Sequence, residues 1–251
     1  MDRQLIRVRR LLLCSALLTL SSASAYAQDL ALYCEEDRPL QFYNAQGKLT
    51  GFTVEIVEEI QKRIGSKSAI QVVPWSRGLD MVSRNPNTLL FTMARTADRE
   101  SSYQWIGPIA SVTYELFAKA DADIKINSLD DARKLSLIGV YRNDIRDQTL
   151  TKLGFTNLDR AASNVSSFKK LMVGRVAVYT DSKLGVAGVA KAAGYQVSDV
   201  KSVFKLFDSH LYIAASKSTN KNIVSQWNEA LEEMKKDKSF QRLQKKYNIE
   251  E

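Results

Sequence analysis

Apolar residues along this chain follow two alternating rhythms. Short apolar or β-branched runs at residues 30–34, 70–74, 89–93, 135–140, 176–180 and 203–206 predict strands. Between them the spacing turns helical. From Phe52 to Ile64, Val54, Ile56, Val57, Ile60 and Ile64 share one face, Glu55, Glu58, Glu59 and Lys62 lie off it, and Gly65 stands where a helix ends. In the second half Ser128 precedes an acidic first turn at Asp130 and Asp131, and Asn143 or Asp144 can cap the next helix. Ser166 and Ser167 lie near the start of a helix carrying Phe168, Leu171 and Met172, and Ser182 can cap one that stops before Gly194. The final helical pattern, residues 222–247, has Val224, Trp227, Leu231 and Met234 as its buried stripe and a solvated Lys/Glu face. Such alternation predicts an α/β fold with mainly parallel sheets.

No repeat or Gly/Ser linker divides the chain. Two β-rich stretches, 114–118 and 210–214, flank a middle segment with its own strand and helix alternation, which predicts two lobes joined by extended strands. One lobe is expected to comprise residues 28–117 with 211–251, and the other 118–210.

The amino terminus follows neither rhythm. Arg3, Arg7, Arg9 and Arg10 precede an apolar run at 11–20, and Ala25-Tyr26-Ala27 supplies a small-x-small cleavage pattern, so residues 1–27 are read as a signal peptide removed on export to the periplasm. That run is about half of the roughly 20 apolar residues needed to span a bilayer. Cys14 lies inside it without a lipoprotein pattern.

The chain carries a formal charge of +8. Its charges are dispersed and no nucleic-acid motif accompanies them, so no nucleic-acid partner is expected. Cys34 is the single cysteine beyond the leader and His210 the single histidine, which leaves an intramolecular disulfide and a metal set short of ligands. No nucleophile and base pair or phosphate loop is visible, and no catalytic residue or cofactor is expected.

Several segments resemble the family 3 extracellular solute-binding proteins of bacterial ABC transporters. Pro39-Leu40-Gln41-Phe42, followed by Gly51-Phe52-Thr53-Val54-Glu55-Ile56, is similar to the family's opening. Thr96-Ala97-Asp98-Arg99 resembles its Thr-Pro-Glu-Arg, and Tyr103-Gln104-Trp105-Ile106-Gly107-Pro108-Ile109 its Phe-Ser-x-Pro-Tyr. Gly174-Arg175-Val176-Ala177-Val178-Tyr179-Thr180-Asp181 resembles a strand of the second lobe. The resemblance implies a two-lobed, Venus-flytrap fold, each lobe a mainly parallel sheet flanked by helices, with two hinge strands.

It also implies a site. The family's ligand-carboxylate arginine falls on Arg99, where a planar guanidinium can hold a carboxylate bidentately; the alternative is a surface arginine paired with Asp98 or Glu100. Asp181 matches the acceptor for an α-ammonium group, the alternative being a helix cap. Trp75 falls on an aromatic wall, or is simply core, and Pro74-Trp75-Ser76-Arg77 resembles a subgroup in which Arg77 reaches the cleft. The loop from Tyr141 through Arg142 and Asn143 to Asp144 is placed to favour an anionic group through backbone amides, although it departs from the family's Ser-Gly-Thr-Gly type, and Ala94 lacks a hydroxyl common in amino-acid binders. Arg77, Arg95 and Arg142 gathered near Arg99 would suit a ligand more negative than a neutral amino acid, unless Glu35, Glu36 and Asp37 offset them.

The implied activity is capture of a small, carboxylate-bearing molecule by hinge closure, with an ABC permease as the reader and a monomer as the expected state. The alternatives are a sensor read by a membrane receptor or kinase, and a dehydratase using Glu35 or Glu36 as general acid or base.

Overall fold

A computed structural model describes residues 30–249; the expected leader, 1–27, lies outside the described residues. In chain order the elements are β1 (Ala31–Cys34), β2 (Phe42–Tyr43), β3 (Leu49–Thr50), α1 (Phe52–Ile64), β4 (Ile70–Val72), α2 (Trp75–Arg84), β5 (Thr88–Ala94), α3 (Ala97–Glu100) and β6 (Tyr103–Lys119). They continue with α4 (Leu129–Arg133), β7 (Ile138–Tyr141), α5 (Ile145–Lys152), β8 (Leu158–Ala161), α6 (Asn164–Met172), β9 (Val178–Ser182), α7 (Val186–Ala193), β10 (Val200–Ser216), α8 (Lys221–Lys236) and α9 (Ser239–Tyr247).

The chain is an α/β protein of two lobes. In the first, β4, β1 and β5 run parallel and β10 closes the set antiparallel to β5. In the second, β8, β7 and β9 run parallel and β6 closes the set antiparallel to β9. β6 and β10 pair with each other along their length, from Tyr103 with Ser216 to Lys119 with Val200. β10 joins β5 only from Leu211 onward, and β6 joins β9 only from Tyr114 onward. Residues 111–113 and 208–210 therefore form a two-stranded neck that pairs with no other strand among the described residues, with single backbone hydrogen bonds from Lys183 to Thr113 and from Arg95 to His210 at its edges. Its outer face is laced by the Thr113 hydroxyl donating to Asp208 at 2.7 Å and by Ser111 meeting His210 Nδ1 at 3.1 Å.

Burial explains the elements. α1 buries Phe52, Val54, Ile56, Val57 and Ile60 and ends at Gly65 in the left-handed region, φ 73°; each such side chain removed from water contributes roughly 1.5–3 kcal/mol. This face meets Trp227, Leu231 and Met234 of α8 in the first lobe's core. The second lobe is cored on both sheet faces, around Phe168 and Tyr179 on one and Leu116, Ile138 and Leu150 on the other.

Several expectations shift. The strand read at 203–206 and the stretch at 210–214 are parts of one 17-residue strand, β10, and 114–118 lies within an equally long β6. Alternation of buried and exposed residues is broken along both by bulges, which hid their length. The 222–247 helix is two helices, parted at Lys238 with φ 63°. Ser128 and Asp144 cap α4 and α5 as read, whereas Ser163 caps α6 and Gly185 precedes α7.

Candidate functional site

Strand ends and the first turns of helices converge where the lobes face each other, as they do in open α/β sheets. The first lobe contributes Glu35 and Asp37 after β1, Gln41, Trp75 at the start of α2, Thr92 and Ala94 at the end of β5, and Arg99 on α3; the second contributes Asp144, Arg146, Asn164, Asp181 and Ser182. The cleft narrows to a cavity of about 40 Å³, room for a few waters.

Arg99 is only 6 % exposed. Its Nη1 donates to the Ala94 carbonyl and its Nη2 to Gln148 Oε1, both at 3.1 Å, and the guanidinium lies 5.7 Å from the Trp75 ring centre. Both acceptors are neutral. Asp98 pairs with Lys152 and Glu100 with Arg95, so neither sequence neighbour takes it. Burial lowers its pKa, partly offset by Asp144, and a buried cation with no carboxylate hydrogen-bonded to it is costly to keep.

Arg146, 4 % exposed, is the opposite case. Its Nε donates to Asp144 Oδ1 at 2.5 Å and its Nη1 to Asp181 Oδ1 at 3.0 Å. Burial would lower its pKa, but Asp144 and Asp181 push it well above the usual arginine range. Asp181 also accepts from the Ser182 amide at 2.7 Å and from the Tyr179 hydroxyl at 2.9 Å. Three donors thus hold the carboxylate, and burial still raises its pKa.

Glu35 accepts the Tyr141 hydroxyl at 2.6 Å, across the lobes. Burial pushes its carboxyl up to about 7, partly offset by that hydrogen bond. Asp37 is half-buried, forms no side-chain hydrogen bond or ion pair among the described residues, and is pushed up to about 7 by burial and by Asp181. Beneath them, burial raises the Cys34 thiol to about 12, so it behaves as a small apolar residue.

The lobes touch at further points. Trp75 Nε1 donates to the Asn143 carbonyl at 3.3 Å, and Lys152 pairs with Asp98. At the N-terminal end of α7, a Cβ on Gly188 would lie 2.6 Å from Arg38 Cβ. Only a glycine lets the helix sit this close to the other lobe.

Of the residues singled out in the sequence, Arg99, Asp181, Trp75, Ala94 and Glu35 come together in the cleft. Tyr141 reaches it through Glu35, and Ala94 offers its carbonyl to Arg99 where a hydroxyl is absent. Arg77 and Arg142 do not join them. Both are exposed, Arg77 on α2 and Arg142 with its side chain directed to the Arg160 carbonyl, while Arg95 pairs with Glu100 beside Trp105 and Tyr212. The basic cluster around Arg99 is therefore absent, and the cleft holds four carboxylates against two guanidiniums. Glu36 is exposed and lies off the cleft lining. Nor does the 141–144 loop present free amides to an anion. Asn143 N–H donates to Asp147, Asp144 N–H to the Tyr141 carbonyl, and Arg146 N–H to the Asp144 cap. Asp181 does not cap α7, which starts after Gly185.

Sequence reasoning missed Arg146, Gln41 and Thr92. Arg146 lies in an Asp-Ile-Arg-Asp run that reads as a solvated helix start. Thr92 holds φ at 57° inside β5, a left-handed conformation rare for a β-branched residue. Its hydroxyl donates to the Phe91 carbonyl at 2.8 Å and accepts Gln41 Nε2 at 3.0 Å.

Residues 31–250 match the model of the bacterial extracellular solute-binding proteins, family 3. A probable amino-acid-binding protein of Bacillus subtilis, YxeM, is 24% identical over 211 residues, covering 82% of this chain and 78% of that protein. A histidine kinase sensor domain with similarity to periplasmic binding proteins superposes with a TM-score of 0.79 at 16% identity, over 88% of this chain and 96% of the other. An ancestral arginine-binding protein bound to arginine gives 0.77 at 23% identity, over 87% and 97%. Members of this family are extracellular or periplasmic binding proteins, and no helix among the described residues is long and apolar enough to cross a membrane.

Proposed function

The chain belongs to the bacterial extracellular solute-binding proteins, family 3, and we propose that it captures an amino acid or a related small carboxylate by closing its two lobes and presents the closed form to a membrane permease of the ABC type. One observation supports this reading above the others: Arg99 is buried in the cleft with neutral acceptors only. A ligand carboxylate supplies the anion it lacks, in a bidentate geometry that lysine cannot reproduce. Trp75 covers the guanidinium on one side and leaves an edge for an apolar part of the ligand.

Closure follows from where the ligand's partners sit. Arg99 belongs to one lobe and Asn164, which lines the cleft with an Oδ1 that has no partner among the described residues, to the other, so a ligand touching both favours the state that brings them together. The lobes touch through Trp75 with Asn143 and Lys152 with Asp98, so admission requires the lobes to part. We place the hinge in the two-stranded neck, 111–113 and 208–210, a few residues before the boundaries expected from sequence. The monomer acts alone in this account, and export to the periplasm precedes it.

Thermal unfolding across amino acids, dicarboxylates, polyamines and small sugars tests the reading. A ligand at about 100 times its Kd stabilises by about 2.7 kcal/mol, a shift of several degrees, and Arg99→Ala abolishes that shift. A carboxylate ligand whose shift survives Arg99→Ala, or a panel in which only sugars or polyamines register, overturns it. Solution scattering with the ligand bound should show compaction.

A second reading is favoured by the sensor-domain likeness: the same closure is read by a receptor instead of a permease. The two differ in the partner alone. Cross-linking of the loaded protein in cell envelopes to a permease or to a sensor kinase separates them.

A further inference from the structure

The cleft has one acidic side chain that the protein leaves unanswered. Asp144 and Asp181 share Arg146, and Glu35 takes the Tyr141 hydroxyl, whereas Asp37 has no donor among the described residues. Beside it in the lining lies a second unanswered acceptor. Gln41 is 1 % exposed and its Oε1 has no partner. Its orientation is fixed, because the Thr92 hydroxyl donates to the Phe91 carbonyl and so can only accept from Gln41 Nε2, which turns Oε1 away. A buried acceptor without a donor costs about 1–3 kcal/mol, so this corner is built to be filled by a hydrogen-bond donor.

Asp37 also stands close to the acidic centre of the other lobe. Its Oδ1 and Asp181 Oδ1 lie 3.3 and 3.5 Å from the point where a Gly185 Cβ would be. Ser182 Oγ lies 2.8 Å from the same point, so the two carboxylates are near neighbours around it, and repulsion between them is relieved by a cation beside Asp37.

We infer that Asp37, with Gln41 Oε1, seats the cationic group of the ligand, and that the cleft prefers a ligand of net positive charge over a neutral zwitterion and over a dicarboxylate. This rests on the carboxylate-binding reading above and moves the ammonium-accepting role from Asp181, which already accepts from three donors, to Asp37. The charge balance agrees: after a ligand carboxylate answers Arg99, the excess of carboxylates in the lining remains and calls for more than one positive charge on the ligand.

Calorimetric titration at pH 8 with L-lysine, L-glutamine and L-glutamate tests it, on the wild-type protein and on Asp37→Asn and Asp181→Asn. L-lysine is expected to bind tightest and L-glutamate weakest. Asp37→Asn weakens L-lysine by about tenfold or more and reduces its advantage over L-glutamine, while leaving the ligand-free protein at least as stable, so a loss of binding is not a loss of fold. Binding of L-lysine within twofold of wild type in Asp37→Asn, or L-glutamate equal to L-lysine, overturns the inference and leaves the carboxylate reading standing. Binding of none of the three also overturns the inference, and the carboxylate reading is then decided by the wider thermal-unfolding panel.

Discussion

Arg99 in the first lobe and Arg146 in the second are buried guanidiniums that face the same cleft, and they differ in what surrounds them. Arg146 has two carboxylates within 3.0 Å, Asp181 buried with it and Asp144 half-buried. Arg99 has two neutral oxygens and an aromatic ring. A charge that is matched within the protein belongs to the structure, because removing its partner would strand the other charge. A charge that is left unmatched belongs to whatever comes to match it. The carboxylates divide in the same way: Asp144 and Asp181 are answered by Arg146, and Asp37 by no side chain among the described residues. Burial by itself distinguishes none of these residues; the count of partners does.

The sharpest way to break this comparison is to remove each arginine in turn. Arg146→Ala leaves Asp144 and Asp181 buried without a cation and should destabilise the protein by about 3–5 kcal/mol, read as a lowered urea midpoint. Arg99→Ala strands no carboxylate, so its stability should stay within about 1 kcal/mol of wild type or rise, while ligand binding disappears. Equal destabilisation by the two substitutions would mean that Arg99 is structural and would remove the basis for the proposed site.

The cleft carboxylates that no arginine answers give the next largest effect, through pH. Glu35 and Asp37 keep their protons up to about pH 7 in the folded protein, against 4.5 and 3.8 for the ordinary groups. The folded state thus binds more protons than the unfolded one between about pH 4 and 7, so the ligand-free protein loses stability as pH rises through that window. Asp181, Arg146, Glu35 and Asp144 all act on Asp37, and Asp37→Asn should flatten the trend by removing one of the carboxylates whose pKa burial raises. A cationic ligand reverses the sign, since it binds the ionised Asp37 and its affinity should grow from pH 6 to 8. Denaturant unfolding with and without L-lysine at pH 5, 6, 7 and 8 measures both slopes; parallel slopes would argue against a cation seated at Asp37.

The sequence made part of this legible. Periodicity found α1 and the C-terminal stripe because their apolar residues repeat on a face that is buried. Arg99 and Asp181 were found through the family's motifs, and both lie in the cleft. Arg77, Arg95 and Arg142 misled, because basic residues near a motif say nothing of which way a side chain points; Arg95 instead finds Glu100 and two aromatic rings outside the cleft. Arg146 was hidden for the same reason in reverse: Asp-Ile-Arg-Asp has the composition of a solvated helix start, and only the approach of β9 encloses it. Thr92 carries a conformation its own side chain disfavours, imposed by tertiary structure and therefore absent from any local pattern.

The smallest effect concerns the seam between the lobes, where Gly188 on α7 meets Arg38. In the first turn of α7, Gly188→Ala should stabilise the ligand-free protein by up to about 1 kcal/mol, since alanine is the better helix former. In the closed state the new methyl meets Arg38 Cβ at 2.6 Å, a contact with the stem of that side chain rather than its mobile end. Relief requires the lobes to separate slightly, which pulls Asp181 and Arg146 away from Arg99 and Asp37. The same substitution should therefore raise the unfolding midpoint without ligand and weaken binding about tenfold, equivalent to about 1.4 kcal/mol, with a larger radius of gyration in the ligand-bound state. Binding within twofold of wild type would mean that this helix does not have to reach Arg38 for the ligand to be held, and that the matched and unmatched walls of the cleft can act without closing fully on one another.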